Sequence, residues 1–265
     1  MSVSRIKSIV IGVLVIINLL FLTLIVADKV RENRTRVEEL QRVTELFSKN
    51  GVVISPEVKL SDTPAARSGP RSTQAEAALA GRLLGEAEVS DQGGSIYLYT
   101  SDRGEALFRS GGELEIDLAP GALEGECSEA GVKKLLKSLG LTAREPAVGD
   151  GIARTVQTCQ GLPIFNCELE LRFDSGCLRS ISGRLAADMG AETGGDGGMS
   201  CASALMRFLS LVISGEAECG HVYDISPGYV LNTSVFGDVA LEPAWRILTD
   251  NGEYQLSAVS GVQIT

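Results

Sequence analysis

The chain has 265 residues, 44% hydrophobic, 22% charged and only 5% aromatic, with a formal net charge of −10. This is a globular composition with aliphatic cores, long enough for one large or two small domains beside a membrane segment. Residues 1–50 hold eight Lys and Arg against five Asp and Glu, so the rest holds sixteen against twenty-nine, a net of −13. With no basic stripe interleaved with aromatics, such a body repels nucleic acid and anionic lipid, and nucleic-acid binding is excluded.

Ile9–Val26 is an uncharged run of 18 residues behind Arg5 and Lys7. That is about the length that crosses a ~30 Å hydrocarbon core at ~1.5 Å per residue. The run is longer than the ~7–15 residues of a signal-peptide core, and no A-x-A cleavage site follows. Residues 1–27 therefore read as a short tail and an uncleaved transmembrane anchor. Lys29, Arg31, Arg34, Arg36 and Arg42 follow it, and Lys and Arg counts alone would leave the body in the cytoplasm. Gly12 and Asn18 are the candidate partner-binding positions of the anchor. A carboxamide in hydrocarbon bonds either a neighbouring membrane helix or its own backbone.

Residues 28–50 read as a charged juxtamembrane helix stopped by Asn50-Gly51, and residues 51–72 as a short strand (Val52–Ile54) followed by a Pro/Ser/Arg-rich linker. Beyond that, one grammar is used three times, a helix and then short antiparallel strands. The first helix spans about Thr73–Gly85, with strands near Ser95–Thr100, Glu105–Arg109 and Glu113–Leu118. The second spans Ser128–Leu139, with Ser128 as N-cap and Gly140 past its end, and has strands near Gly151–Cys159, Ile164–Phe173 and Cys177–Leu185. The third spans Ser200–Ile213, with strands near Glu218–Ile225, Gly228–Phe236, Pro243–Thr249 and Glu253–Ala258. Asp250-Asn251-Gly252 between the last two is a strong hairpin signal. The expected class is α+β, helices laid on antiparallel sheets. The body divides into residues 73–190, holding two helix-plus-strand units, and 191–265, holding the third.

Catalytic hardware is sparse. No C-x-x-C pair occurs among Cys127, Cys159, Cys167, Cys177, Cys201 and Cys219, and six cysteines allow fifteen pairings that sequence does not resolve. His221 is the single histidine, no serine sits in G-x-S-x-G, and the GGDGG loop (Gly194–Gly198) lacks the lysine of a phosphate cradle. No catalytic residue, metal or cofactor is assigned, and the chain is read as a non-enzyme. Trp245 is assigned to the core under the third helix.

SRIKSIVIGVLVIINLLFL (Ser4–Leu22) and LFSKNGVVIS (Leu46–Ser55) together resemble the opening of YycI-type accessory proteins of Gram-positive bacteria. GLPIFNCELELRFDSGCLRSISGRL (Gly161–Leu185), SALMRFL (Ser203–Leu209) and PAWRILTDNGEY (Pro243–Tyr254) resemble the helix-plus-hairpin units of YycI, YycH and PepSY-like domains. The resemblance implies a regulator anchored in the cytoplasmic membrane by a single pass, with the body outside. Its implied partners are the WalK/YycG sensor histidine kinase, which governs cell-wall metabolism, and a YycH-like protein. The alternative is a PepSY-like binding module that captures an extracytoplasmic peptide, protease or wall component.

Overall fold

The computed structural model describes residue 18 and residues 21–23, 35–193, 198–234 and 238–264. Residues 35–49 are helical (α1), and Gly51, at φ +80°, turns the chain into β1 (Val53–Ile54). The positive φ there is one that only glycine adopts without strain. After β2 (Arg67–Pro70) comes α2 (Thr73–Leu84), then the meander β3 (Glu88–Asp91), β4 (Tyr97–Ser101), β5 (Gly104–Phe108) and β6 (Glu113–Leu118). Helix α3 (Glu129–Ser138) precedes β7 (Ala147–Gly149), β8 (Ile152–Cys159), β9 (Leu162–Asp174) and β10 (Cys177–Arg184). Then β11 (Ala191–Glu192) leads to α4 (Cys201–Ser214), β12 (His221–Thr233), β13 (Asp238–Thr249), β14 (Gly252–Ser257) and β15 (Gln263–Ile264).

The helices start where a serine can take an orphan backbone donor. Ser72, Ser128 and Ser200 accept from the N–H groups of Ala75, Gly131 and Ser203, and α4 ends on Gly215 in the left-handed region. The first two meanders meet through their last strands, β6 and β10, which run antiparallel with Ile116 opposite Ile181. On one face of this first half, α2 and α3 bury Leu79, Leu83, Val132 and Leu136 against Leu114, Ile116, Leu169, Leu171 and Ile181. In the second half, α1 and α4 cover β12–β14. Phe47, Val52, Leu205 and Phe208 pack there with Val222, Ile247, Leu256 and a fully buried Trp245, whose indole N–H donates to the Met199 carbonyl at 2.9 Å.

The halves join where β9 runs parallel to β12, with Ile164 opposite Tyr229. Few ladder bonds are available at that seam, and one side-chain amide bonds across it while a second bonds the chain beside it. Asn166 donates to the Leu231 carbonyl (2.9 Å) and accepts from its N–H (2.8 Å). The buried Gln157 does the same for Ala186, at 2.8 Å in both directions. A third, small core fills the seam with Cys159, Ile164, Cys167, Ala186, Tyr229, Leu231 and Leu241. Gly228 lets the Phe165 ring lie against β12, since a Cβ there would come within 2.4 Å of that ring and 2.7 Å of the Pro163 carbonyl oxygen.

These observations correct the expected class. The protein is mostly strand, and the strands merge into one sheet of fifteen among the described residues, instead of separate helix-plus-strand units behind a transmembrane helix. The cause is long-range pairing. β9 and β12 each run 13 residues and bridge the halves, and the expected linker contributes β2, which pairs with β13 and β11. The single-pass membrane localisation is corrected as well. Among the described residues no helix is long and apolar enough to cross a membrane. Of the Ile9–Val26 run only residues 18 and 21–23 are described, as helical and exposed, and the remainder lies outside the described residues. The two strands expected at Glu218–Ile225 and Gly228–Phe236 are a single one, β12. Pro227 is tolerated within it because only β13 lies beside β12 between its contacts with β1 at Val222 and β9 at Tyr229.

Gln157→Leu removes both bonds to Ala186 and leaves its buried N–H and carbonyl unpaired. It should lower stability by roughly 2–4 kcal/mol, read as a fall in the urea midpoint with the m-value unchanged.

Candidate functional site

The first half ends on a free strand. β3 pairs with β4 alone, and all four of its residues are exposed, Val89 at 61%. Gln92 N–H bonds the Ile96 carbonyl, and hydrogen-bonded pairs recur every second residue. Ser90 and Glu88 therefore face β4, opposite Leu98 and Thr100, while Val89 and Asp91 turn their N–H and carbonyl groups outward. The other terminal strands, β1, β7, β11 and β15, are two or three residues long. Val89 stands opposite buried Tyr99, on the side of the sheet that carries the helix-covered core. A strand added along β3 would continue the ladder and cover Val89.

The hairpin carrying this edge is fixed by a buried ion pair. Arg71 Nε lies 2.7 Å and Nη2 3.0 Å from the two carboxylate oxygens of Glu76, with the side chains 9% and 5% exposed. The same guanidinium donates to the Ser95 carbonyl in the β3–β4 turn and lies 5.5 Å above the Tyr97 ring. One residue thus ties the start of α2 to the turn. Burial, and then the Glu76 charge, push the phenol of nearby Tyr99 up.

A second constellation lies at the start of β12. Ser55 Oγ is 2.8 Å from His221 Nε2, and the His221 ring stacks on Tyr223 with centroids 4.6 Å apart. This places a hydroxyl nucleophile against a base, as acyl transfer requires. The third member is misdirected. Asp250 accepts from the backbone N–H groups of Gly220 and His221 at 3.0–3.2 Å, not from the imidazole. Those bonds, that from His221 first, hold the Asp250 carboxyl below the usual range. The triad geometry is incomplete, and the corner docks β1 onto β12.

Of the sequence-assigned positions, Gly12 lies outside the described residues, and Asn18 is helical and exposed. All six cysteines are free thiols. Burial pushes Cys167 up to about 12 and Cys201 and Cys219 up to about 11. Among the described residues no group of three or more His, Cys, Asp or Glu could hold a metal ion.

The chain matches no family model and no curated protein. Among solved structures it is similar to an uncharacterized protein from Eubacterium rectale, at 12% identity and a TM-score of 0.46, over 81% of this chain and 89% of that one. It is also similar to the YpeB C-terminal domain of Bacillus megaterium, at 13% identity and a TM-score of 0.36, over 74% of this chain and 97% of that one. Neither is described as a YycI- or YycH-type protein. Likenesses of this size assign neither a family nor a function.

The thiols give one checkable outcome: brief iodoacetamide treatment of native protein at neutral pH should label Cys127 and Cys177 well before Cys167 and Cys201, as read by peptide mass mapping. Asp250 gives another. Its folded carboxyl is depressed, so its contribution to stability is present above the ordinary aspartate range and is lost as pH falls through the folded value. Asp250→Ala should therefore be less stable than wild type at pH 7, and the difference should shrink on acidification. A gap that stayed constant down to pH 2 would contradict this.

Proposed function

We propose that the protein is a non-catalytic, PepSY-like binding module that captures an extended segment of a partner protein along the free edge of β3. The observation that carries this reading is the outward row of N–H and carbonyl groups at Val89 and Asp91 on an exposed strand, held in place by the Arg71–Glu76 pair. Main-chain pairing supplies affinity in this mode, and the alternate side chains supply selectivity. Glu88 and Asp91 flank the edge with negative charge and favour a neutral or basic segment. Support for the partner class comes from the sequence resemblance to YycI-type regulators, which points to a sensor histidine kinase with a YycH-like companion. The incomplete Ser55–His221–Asp250 geometry supports a non-enzymatic role.

Val89→Pro tests the reading because it deletes an outward N–H and spares the ladder to β4. A photocrosslinker placed at Ser90 should capture a discrete partner from cell extract. Hydrogen exchange at Val89 and Asp91 should slow when the purified partner is added. Both effects should vanish in Val89→Pro while the urea midpoint stays near wild type. Equal capture and protection in the proline variant would remove β3 as the site. A captured protein that is a sensor histidine kinase would support the regulatory role.

A further inference from the structure

Two rows of side chains cross the first half of the sheet and end on β3. On the helix-covered side the register runs Val89, Tyr99, Ala106, Ile116, Ile181, Leu171, one residue per strand. Every member but the first is buried, and Val89 is 61% exposed. The apolar row therefore stops one strand short of closure. On the opposite side the neighbouring row runs Glu88, Thr100, Glu105, Asp117, Ser180, Arg172. That row is polar throughout. Its one cation, Arg172, lies at the far end from Glu88 and is held by Glu170 at 2.7 Å.

The two acids of β3 are not equivalent. Asp91 Oδ1 accepts from the Gly93 N–H at 2.8 Å, and the Arg71 guanidinium lies 5.5 Å above the ring of Tyr97, the residue opposite Asp91. Asp91 thus closes its own turn, one strand from a fixed cation. Glu88 is exposed and makes no ion pair among the described residues. Its N–H and carbonyl face β4, so a strand added outside β3 meets it at a non-hydrogen-bonded position. Opposed side chains come closest at such positions.

We infer that the strand added along β3 runs antiparallel to it and carries an apolar residue opposite Val89, followed directly by Lys or Arg opposite Glu88. The inference rests on the reading of β3 as a capture edge. The apolar residue extends the buried row over Val89, and the basic residue meets the free carboxylate on the other side. The direction follows the meander, since every pairing from β3 to β6 is antiparallel, and antiparallel ladders are slightly the more stable. A parallel strand would need the reverse order, basic before apolar. An exposed cross-strand ion pair is weak, so Glu88 contributes selectivity more than affinity.

The test uses the full chain, 15N-labelled, and three acetylated, amidated peptides. Thr-Thr-Thr-Val-Lys-Thr has the inferred order, Thr-Thr-Thr-Lys-Val-Thr the reverse, and Thr-Thr-Thr-Val-Glu-Thr the wrong charge. The first should shift the amide resonances of Val89 and Asp91. The Glu peptide should bind about fivefold more weakly, the difference between an attractive and a repulsive cross-strand pair. The reversed peptide should lose roughly tenfold, because its valine no longer covers Val89. Glu88→Lys, a change on an exposed side chain, should exchange the preference between the Lys and Glu peptides. A nitroxide at the C-terminus of the first peptide should broaden the Ala87 amide more than that of Gly94. Equal affinity for all three peptides, with Val89 and Asp91 still shifting, would overturn the inferred order and leave β3 as the capture edge. A preference that survives Glu88→Lys would remove Glu88 as the reader of charge. Tighter binding of the reversed peptide, or stronger broadening at Gly94, would refute the antiparallel direction. No shift at either amide with any of the peptides would sink the inference together with the β3 reading.

Discussion

The seam between β9 and β12 is the constraint on which the rest of the molecule depends. Two halves of the sheet, each covered by its own pair of helices, are joined by parallel neighbours that share a single register position, Ile164 with Tyr229. A buried junction of that kind strands backbone donors and acceptors, and each unpaired group costs about 1–3 kcal/mol. Asn166 removes that cost across the junction and Gln157 does so beside it, at Ala186, with carboxamides, which carry the same donor and acceptor as a peptide unit. The space around them is dry enough to push the Cys167 thiol to about 12. From this joint follow the placement of β3 as the terminal strand of the first half and the passage of the Phe165 ring over Gly228 of the second.

Local structure was legible where local chemistry determined it. Ser128 followed by an apolar period and Gly140 describes α3 almost to the residue, and the turn at Asp250-Asn251 joins β13 to β14 in register, with Thr249 opposite Gly252. Pairing at a distance was not legible. Arg67–Pro70 has a Gly and a Pro in four residues and no strand pattern of its own, yet it is a strand because β13 lends it a ladder at Val239–Leu241. Ser226-Pro227-Gly228 reads as a break and is the middle of a 13-residue strand. The same long strands turned an expected series of units into one sheet.

The candidate sites were less visible still. Glu88–Asp91 shows no alternation of apolar and polar residues, because neither of its faces is buried, and the signal that could have found it is the charge on a short segment beside a Gly-Gly turn. Ser55 and His221 meet across 166 positions, and nothing in either neighbourhood announces the contact. Phe165 and Arg246 come from different halves, and only the folded seam sets the guanidinium 6.0 Å over the ring. A sequence survey of motifs finds chemistry that is local in the chain, and here the polar groups of interest are assembled by the joint.

An exposed edge is a hazard for any sheet protein, since it can recruit a copy of itself. Among the described strands the other edges are too short to template a partner, and β3 is guarded by Glu88 and Asp91 on a body already strongly negative. Two copies approaching edge to edge would bring those carboxylates together. A neutral or basic segment meets no such repulsion, so the charge that suppresses self-association also selects the class of strand that can be added.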